Sequence, residues 1–144
     1  MIERELEIPT ADGGMDAFVT HPEEGGPFPA VIALMDIWGL REELFDIARK
    51  IAVAGYHCTV PNFWYRRGKV RFEYRDDKGR MRSLLSLPKE AQDELHANMH
   101  QVTDRMAVAD VGAVLKFLGG EPVRPGPKGT IGYCLGGRLS LAVA

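Results

Sequence analysis

Apolar and charged residues alternate over positions 2–8 (Ile-Glu-Arg-Glu-Leu-Glu-Ile), the period of a strand with one face in water. Ala11-Asp12-Gly13-Gly14 reads as a tight turn and positions 15–20 as the returning strand, which predicts an N-terminal antiparallel hairpin. Positions 22–29 hold three prolines, two glycines and two glutamates and read as a surface loop. The run Ala30-Val31-Ile32-Ala33-Leu34-Met35 is continuously apolar, as in a strand covered on both faces. A helix is predicted over 41–54, with Leu44, Ile47, Ala48 and Ile51 on one face. Gly55 sits where a left-handed helix cap belongs. A second short strand over 56–60 closes at Pro61. Strand, helix and strand in about 30 residues form a βαβ unit and imply parallel pairing.

Positions 62–98 show the least regularity. Positions 99–118 read as a helix with Val102, Met106, Ala109, Ala113 and Phe117 on one stripe, ended by Gly119-Gly120. A rigid turn spans 122–127, a short strand 130–133, and about two helical turns 136–144. The pattern is that of one α/β domain. A chain of 144 residues, 45% of them apolar, suits one core and not two. Its net charge of −2 is unevenly spread: positions 62–82 carry eight basic and three acidic residues, Glu73, Asp76 and Asp77. Arginines there could meet an anionic substrate, but a solvated loop explains them more simply. Phe63, Trp64, Tyr65, Phe72 and Tyr74 interleave these charges, yet the acidic balance of the whole argues against nucleic acid. No apolar run has membrane-spanning length, and the acidic, alternating N-terminus does not read as a signal peptide. Cys58 and Cys134 make no disulfide framework, so a reduced, cytoplasmic protein is expected.

The segment Gly132-Tyr133-Cys134-Leu135-Gly136-Gly137 lies between a strand signal and a helix signal. That is the context of the G-x-S-x-G nucleophile elbow, with cysteine at the nucleophile position. A sharp turn there would present the Cys134 thiol at a helix N-terminus, where the dipole favours a thiolate. The Leu135 N–H would then be one oxyanion donor and the N–H of Ile37, in the loop after an earlier strand, the other. The competing reading is a buried cysteine acting as a small hydrophobe, and for Cys58 that reading prevails. His96 and His100, four apart, could share a helix face and a metal, but no third ligand has matching spacing. Neither G-x-G-x-x-G nor a Walker A pattern is present, and no metal or organic cofactor is implied.

Three blocks together resemble the dienelactone hydrolase family. They are 29–40 (Pro-Ala-Val-Ile-Ala-Leu-Met-Asp-Ile-Trp-Gly-Leu), 54–66 with Pro61-Asn62-Phe63-Trp64-Tyr65-Arg66, and the Gly132–Gly137 elbow. The resemblance implies a three-layer α/β-hydrolase fold with a mostly parallel sheet and an N-terminal hairpin. It also implies hydrolysis of enol-lactones or small carboxylic esters by a Cys-Asp-His triad. By that resemblance Cys134 is the nucleophile, Ile37 and Leu135 form the oxyanion hole, and Trp38, Tyr65 and Arg66 are candidate substrate contacts. The family's usual glutamate, which contacts the resting thiol, is replaced by Asp36, one methylene shorter. The family's triad acid and histidine follow the nucleophile, yet positions 135–144 contain no Asp, Glu or His. The expectation is a hydrolase domain, 1–144, lacking its last strands, with an irregular basic insert over 62–98. Its exposed sheet edge would favour homo-oligomers. The alternative is a non-catalytic α/β module for binding or assembly.

Overall fold

The computed structural model describes residues 1–72 and 74–144; Glu73 of the basic block lies outside the described residues. Five strands form one sheet: β1 (Ile2–Thr10), β2 (Gly13–His21), β3 (Ala30–Leu34), β4 (His57–Pro61) and β5 (Gly129–Gly132). Their order is β1-β2-β4-β3-β5. β1 and β2 pair antiparallel, as do β2 and β4, whereas β3 runs parallel to both β4 and β5. The sheet is therefore mixed rather than mostly parallel. The helices are α1 (Glu42–Val53), α2 (Lys89–Gln101), α3 (Asp104–Leu118) and α4 (Leu135–Val143).

Successive strand residues face opposite layers. Val31 and Ile131 lie with Ile47 and Ile51 on the α1 side, whereas Ile32 and Thr130 lie with Val111 of α3 and Val143 of α4 on the other. The inner strand β2 is buried from Met15 to His21 and the central β4 along its whole length, because helices cover both faces of the middle of the sheet. The hairpin forms as its pattern predicts, with Ala11 and Asp12 alone between the strands. The α1 helix also forms as predicted and ends at Gly55, whose φ of +95° is the left-handed conformation expected there.

The helix predicted over 99–118 is two helices. The first begins at Lys89, inside the stretch expected to be irregular, and the chain breaks at Val102 and Thr103. Thr103 then caps α3 by accepting a hydrogen bond from the Met106 N–H at 3.2 Å. The buried stripe of α3 is Ala107, Val111, Val114 and Leu118, one step round from the predicted one, and Ala109 is exposed. Apolar residues occupy nearly every side of this helix, so periodicity alone does not single out the inner face.

Asp110 sits in that buried stripe and explains why it tolerates a charge. Its carboxylate takes two hydrogen bonds from Arg66, both at 2.8 Å, and one from the Tyr65 hydroxyl at 3.0 Å. Arg66 also donates to Asp12 in the hairpin turn at 2.7 Å. Burial raises the Tyr65 phenol above its usual range, and the charge of Asp110 adds to that. Neighbouring basic side chains behave likewise: Lys69 pairs with Glu7, Arg71 with Asp16 and Arg75 with Glu43. The basic excess of 62–82 is thus met largely by acids from the rest of the chain. Removing Asp110 leaves the half-sequestered Arg66 and Tyr65 short of their main acceptor. Asp110→Ala is expected to lower the unfolding free energy by about 3 kcal/mol, measured by urea denaturation, and Asp110→Asn by less.

Candidate active site

Strands β3, β4 and β5 end together at one end of the sheet, and the loops that follow β3 and β5 carry the candidate residues Asp36, Ile37 and Cys134. Cys134 joins β5 to α4 with φ 54° and ψ −117°, and it has the single positive φ among the described non-glycine residues. The conformation persists because the two flanking glycines allow it. A Cβ on Gly132 would lie 2.1 Å from the Gly136 carbonyl oxygen, and one on Gly136 would lie 2.2 Å from that of Leu34. These are backbone contacts that no rotamer change relieves. The glycines of G-x-C-x-G therefore let α4 start tight against its own strand and against the end of β3. The thiol is exposed, unlike Cys58, which is fully buried.

The second loop, after β3, is held just as firmly. The Asp36 carboxylate receives two hydrogen bonds from Arg41, at 2.6 and 2.7 Å, and one from the Trp38 N–H at 2.9 Å. The Gly39 N–H returns to the Asp36 carbonyl at 3.1 Å, and Gly39, with φ +74°, lies on the face of Trp64. The Ile37 N–H has no acceptor among the described residues, and neither has the Leu135 N–H at the start of α4. Contact of Gly136 with the Leu34 and Met35 carbonyls brings the two segments side by side. Both uncommitted N–H groups thus belong to segments that meet next to Cys134.

The other sequence candidates are placed differently. Asp36 makes no hydrogen bond with Cys134; Arg41, five residues on, engages it instead, which its shorter side chain favours. Trp38 is 7% exposed and belongs to the core. Tyr65 and Arg66 commit their polar atoms to Asp110, Thr10 and Asp12, and neither lines the cleft beside Cys134. The walls of that cleft, about 560 Å³, come instead from the α2–α3 break and the first turn of α4: Met99, His100, Val102, Thr103, Asp104, Leu135 and Arg138. Arg138 donates to the Val102 carbonyl at 3.2 Å and lies 3.3 Å from Asp104. Leu135 apart, these residues carry no site signal in the sequence. Thr103-Asp104, an N-cap followed by an acid in the first turn, was the signal for a helix start there. One group of metal-type donors, His21, His57 and Glu121, gathers at the opposite end of the sheet.

This strand order, with a strained strand-to-helix turn after β5, defines a domain of the α/β-hydrolase class. The family model described as "Dienelactone hydrolase family" matches residues 15–144, and the chain belongs to that family. It is 29% identical over 141 residues to a "Putative carboxymethylenebutenolidase" of Methylorubrum extorquens, spanning 97% of this chain and 43% of that one. It is 26% identical over 145 residues to a "Carboxymethylenebutenolidase" of Pseudomonas sp. strain P51, spanning 100% of this chain and 56% of the other. Among solved structures, a Klebsiella pneumoniae protein titled "Putative Dienelactone Hydrolase" superposes with a TM-score of 0.78 at 25% identity, over 99% of this chain and 54% of that one. An esterase from an Arctic intertidal metagenomic library shares the fold with a TM-score of 0.64 at 18% identity, over 98% of this chain and 51% of that one. The chain thus spans about half the length of the relatives it matches.

Two outcomes follow from the geometry. Burial pushes the Cys58 thiol up to about 12, so iodoacetamide at neutral pH should label Cys134 in the native protein and Cys58 only after denaturation, as read by peptide mass spectrometry. The left-handed turn should also favour glycine. Cys134→Gly is expected to be about 1 kcal/mol more stable than Cys134→Ala, since relieved strain of about 1–3 kcal/mol exceeds glycine's added chain entropy.

Proposed function

We propose that this chain carries the nucleophile and oxyanion hole of a hydrolase for small carboxylic esters or enol-lactones. The observation that carries the reading is the strained Cys134 turn beside two backbone N–H groups without acceptors among the described residues. The Cys134 thiolate attacks the acyl carbon and a C–S bond forms. The carbonyl oxygen gains the charge, and the N–H groups of Ile37 and Leu135 take it up. Collapse expels the alcohol or enol oxygen, which takes a proton, and leaves a thioester on Cys134. Water then releases the acid and restores the thiol. Asp36 serves this reading as a positioning residue: with Arg41 it holds the loop that presents Ile37.

Deacylation needs a base to activate water. In the family that role belongs to a histidine after the nucleophile, and residues 135–144 include none. His100 lines the Cys134 cleft, but no hydrogen bond joins it to the thiol. Acylation is therefore the step these residues support by themselves. A second reading, a module for binding or assembly, draws on the open side of β5. An apolar groove of about 570 Å³ lies there, lined by Ile47, Ile51, Tyr56, Ile131 and Tyr133.

Stopped-flow mixing with 4-nitrophenyl acetate tests the proposal. One nitrophenolate per chain should appear in a burst, followed by a much slower phase, and Cys134→Ala should abolish the burst. Steady turnover after the burst would mean that a base acts on the acyl-enzyme, and His100→Ala would show whether it is His100. Absence of a burst from the wild-type chain would overturn the nucleophile assignment and favour the binding module.

A further inference from the structure

We propose that His21, His57 and Glu121 form a binding site for a divalent transition-metal ion of the zinc type, at the end of the sheet remote from Cys134. The three residues come from separate parts of the chain. His21 ends β2, His57 begins β4, and Glu121 lies in the turn between α3 and β5. The register that pairs Thr20 with Cys58 brings the two histidines across from each other, and their rings stack 5.3 Å apart, 12° from parallel. The Glu121 turn is tied down by the Phe28 N–H to the Pro122 carbonyl at 2.8 Å and the Arg124 N–H to the Phe28 carbonyl at 2.9 Å.

The donor atoms of the three side chains all lie within 4.8 Å of one another. His57 Nε2 and Glu121 Oε2 are 3.2 Å apart. Two ligands at about 2.0–2.1 Å from one tetrahedral ion stand about 3.3 Å from each other, so this pair needs little movement to share one. The His21 Nδ1–H donates to the Pro22 carbonyl at 2.7 Å, which leaves Nε2 as the nitrogen with a free lone pair. Metal-bound histidines are held in this way by a backbone acceptor on the other nitrogen. The His57 ring is 0% exposed, so its Nε2, the nitrogen that meets Glu121, would hold an ion in a site shielded from water. Its Nδ1 has no partner among the described residues. Two imidazoles and a carboxylate suit zinc, with a fourth position left for water. Arg4 now supplies the counter-charge of Glu121. It projects from the edge strand β1, is 41% exposed and can withdraw when an ion takes its place. The ion would join the hairpin, β4 and the turn before β5, a clamp on the fold and not a part of the thiol chemistry.

The test uses the metal-stripped protein and the ion alone. Zn2+ titrated by calorimetry should bind once and raise the Tm, since a ligand of the folded state stabilises it by mass action. Co2+ should give the visible absorption of a low-coordinate nitrogen–oxygen site. His57→Gln removes a core side chain and can unfold the protein, so His21→Gln at the end of β2, in a residue 8% exposed, carries the decision. It should weaken Zn2+ binding by roughly tenfold or more, with the metal-free Tm of the variant measured alongside to show that it is folded. Arg4→Gln should tighten binding several-fold by removing the competing cation. The surface pair His96 and His100 on α2 is the control, and its double glutamine variant should bind as the wild type does. No saturable binding at micromolar Zn2+, full binding in His21→Gln, or binding lost only in the α2 variant would each overturn the site.

Discussion

The turn from β5 into α4 packs backbone against backbone so closely that no side chain fits at Gly132 or Gly136. Everything proposed about the site depends on that contact. It forces Cys134 into a left-handed conformation that costs about 1–3 kcal/mol, and the surrounding fold has to hold it there. β5 is paired to β3 over four residues, Leu135 and Leu139 of α4 are buried, and Gly136 rests on the end of β3. The same contact brings the start of α4 beside the loop that follows β3. Strain at one residue thus sets both the projection of the thiol and the neighbourhood of the two N–H donors.

A second constraint acts on the far side of the α3 layer. Asp110 is a carboxylate in an otherwise apolar stripe, and Arg66, Tyr65 and the hairpin turn close around it. Asn62 extends the same theme by donating to Asp16 at 2.8 Å and accepting from the Trp64 N–H at 3.0 Å. The Pro-Asn-aromatic-Tyr-Arg segment is in this light an anchor for the chain after β4. Asn62, Tyr65 and Arg66 find acceptors on Asp16, Asp110 and Asp12 under cover, so they stabilise a particular arrangement more than they add net free energy.

The two ends of the sheet divide the work. At the ends of β3 and β5 lie the strained cysteine, the free N–H groups and a cleft; where β3 and β4 begin lie buried imidazoles and a carboxylate. Burial pushes the His57 imidazole below its usual range. Burial opposes the charge of Glu121, but Arg4 and His57 outweigh it and its carboxyl falls below the usual range. The open side of β5 belongs to neither end. Tyr133 and Leu141 are exposed nearby, and a strand with no partner on its outer side among the described residues, beside apolar surface, is suited to further pairing.

Local pattern alone specified the hairpin, the βαβ unit, the helix ending at Gly55 and the strand–turn–helix around Cys134, because alternation, apolar runs and glycine positions act over a few residues. The glycine spacing also marked Cys134 and Leu135 as candidates, since a turn that tight has few chemical solutions, and the loop after the first apolar strand supplied Ile37. Where α3 turns its inner face was not legible, because a helix apolar on most sides meets the core wherever its neighbours put it. Nor was the break at Thr103, where a cap and tertiary packing overrode a continuous helical period. The fates of Asp36, Tyr65 and Arg66 were decided by partners distant or unforeseen in sequence: Arg41 took the first, and Asp110 the other two. The meeting of His21, His57 and Glu121 was equally a tertiary event, since strand register and one turn bring them together across a separation of 100 residues that no periodicity encodes.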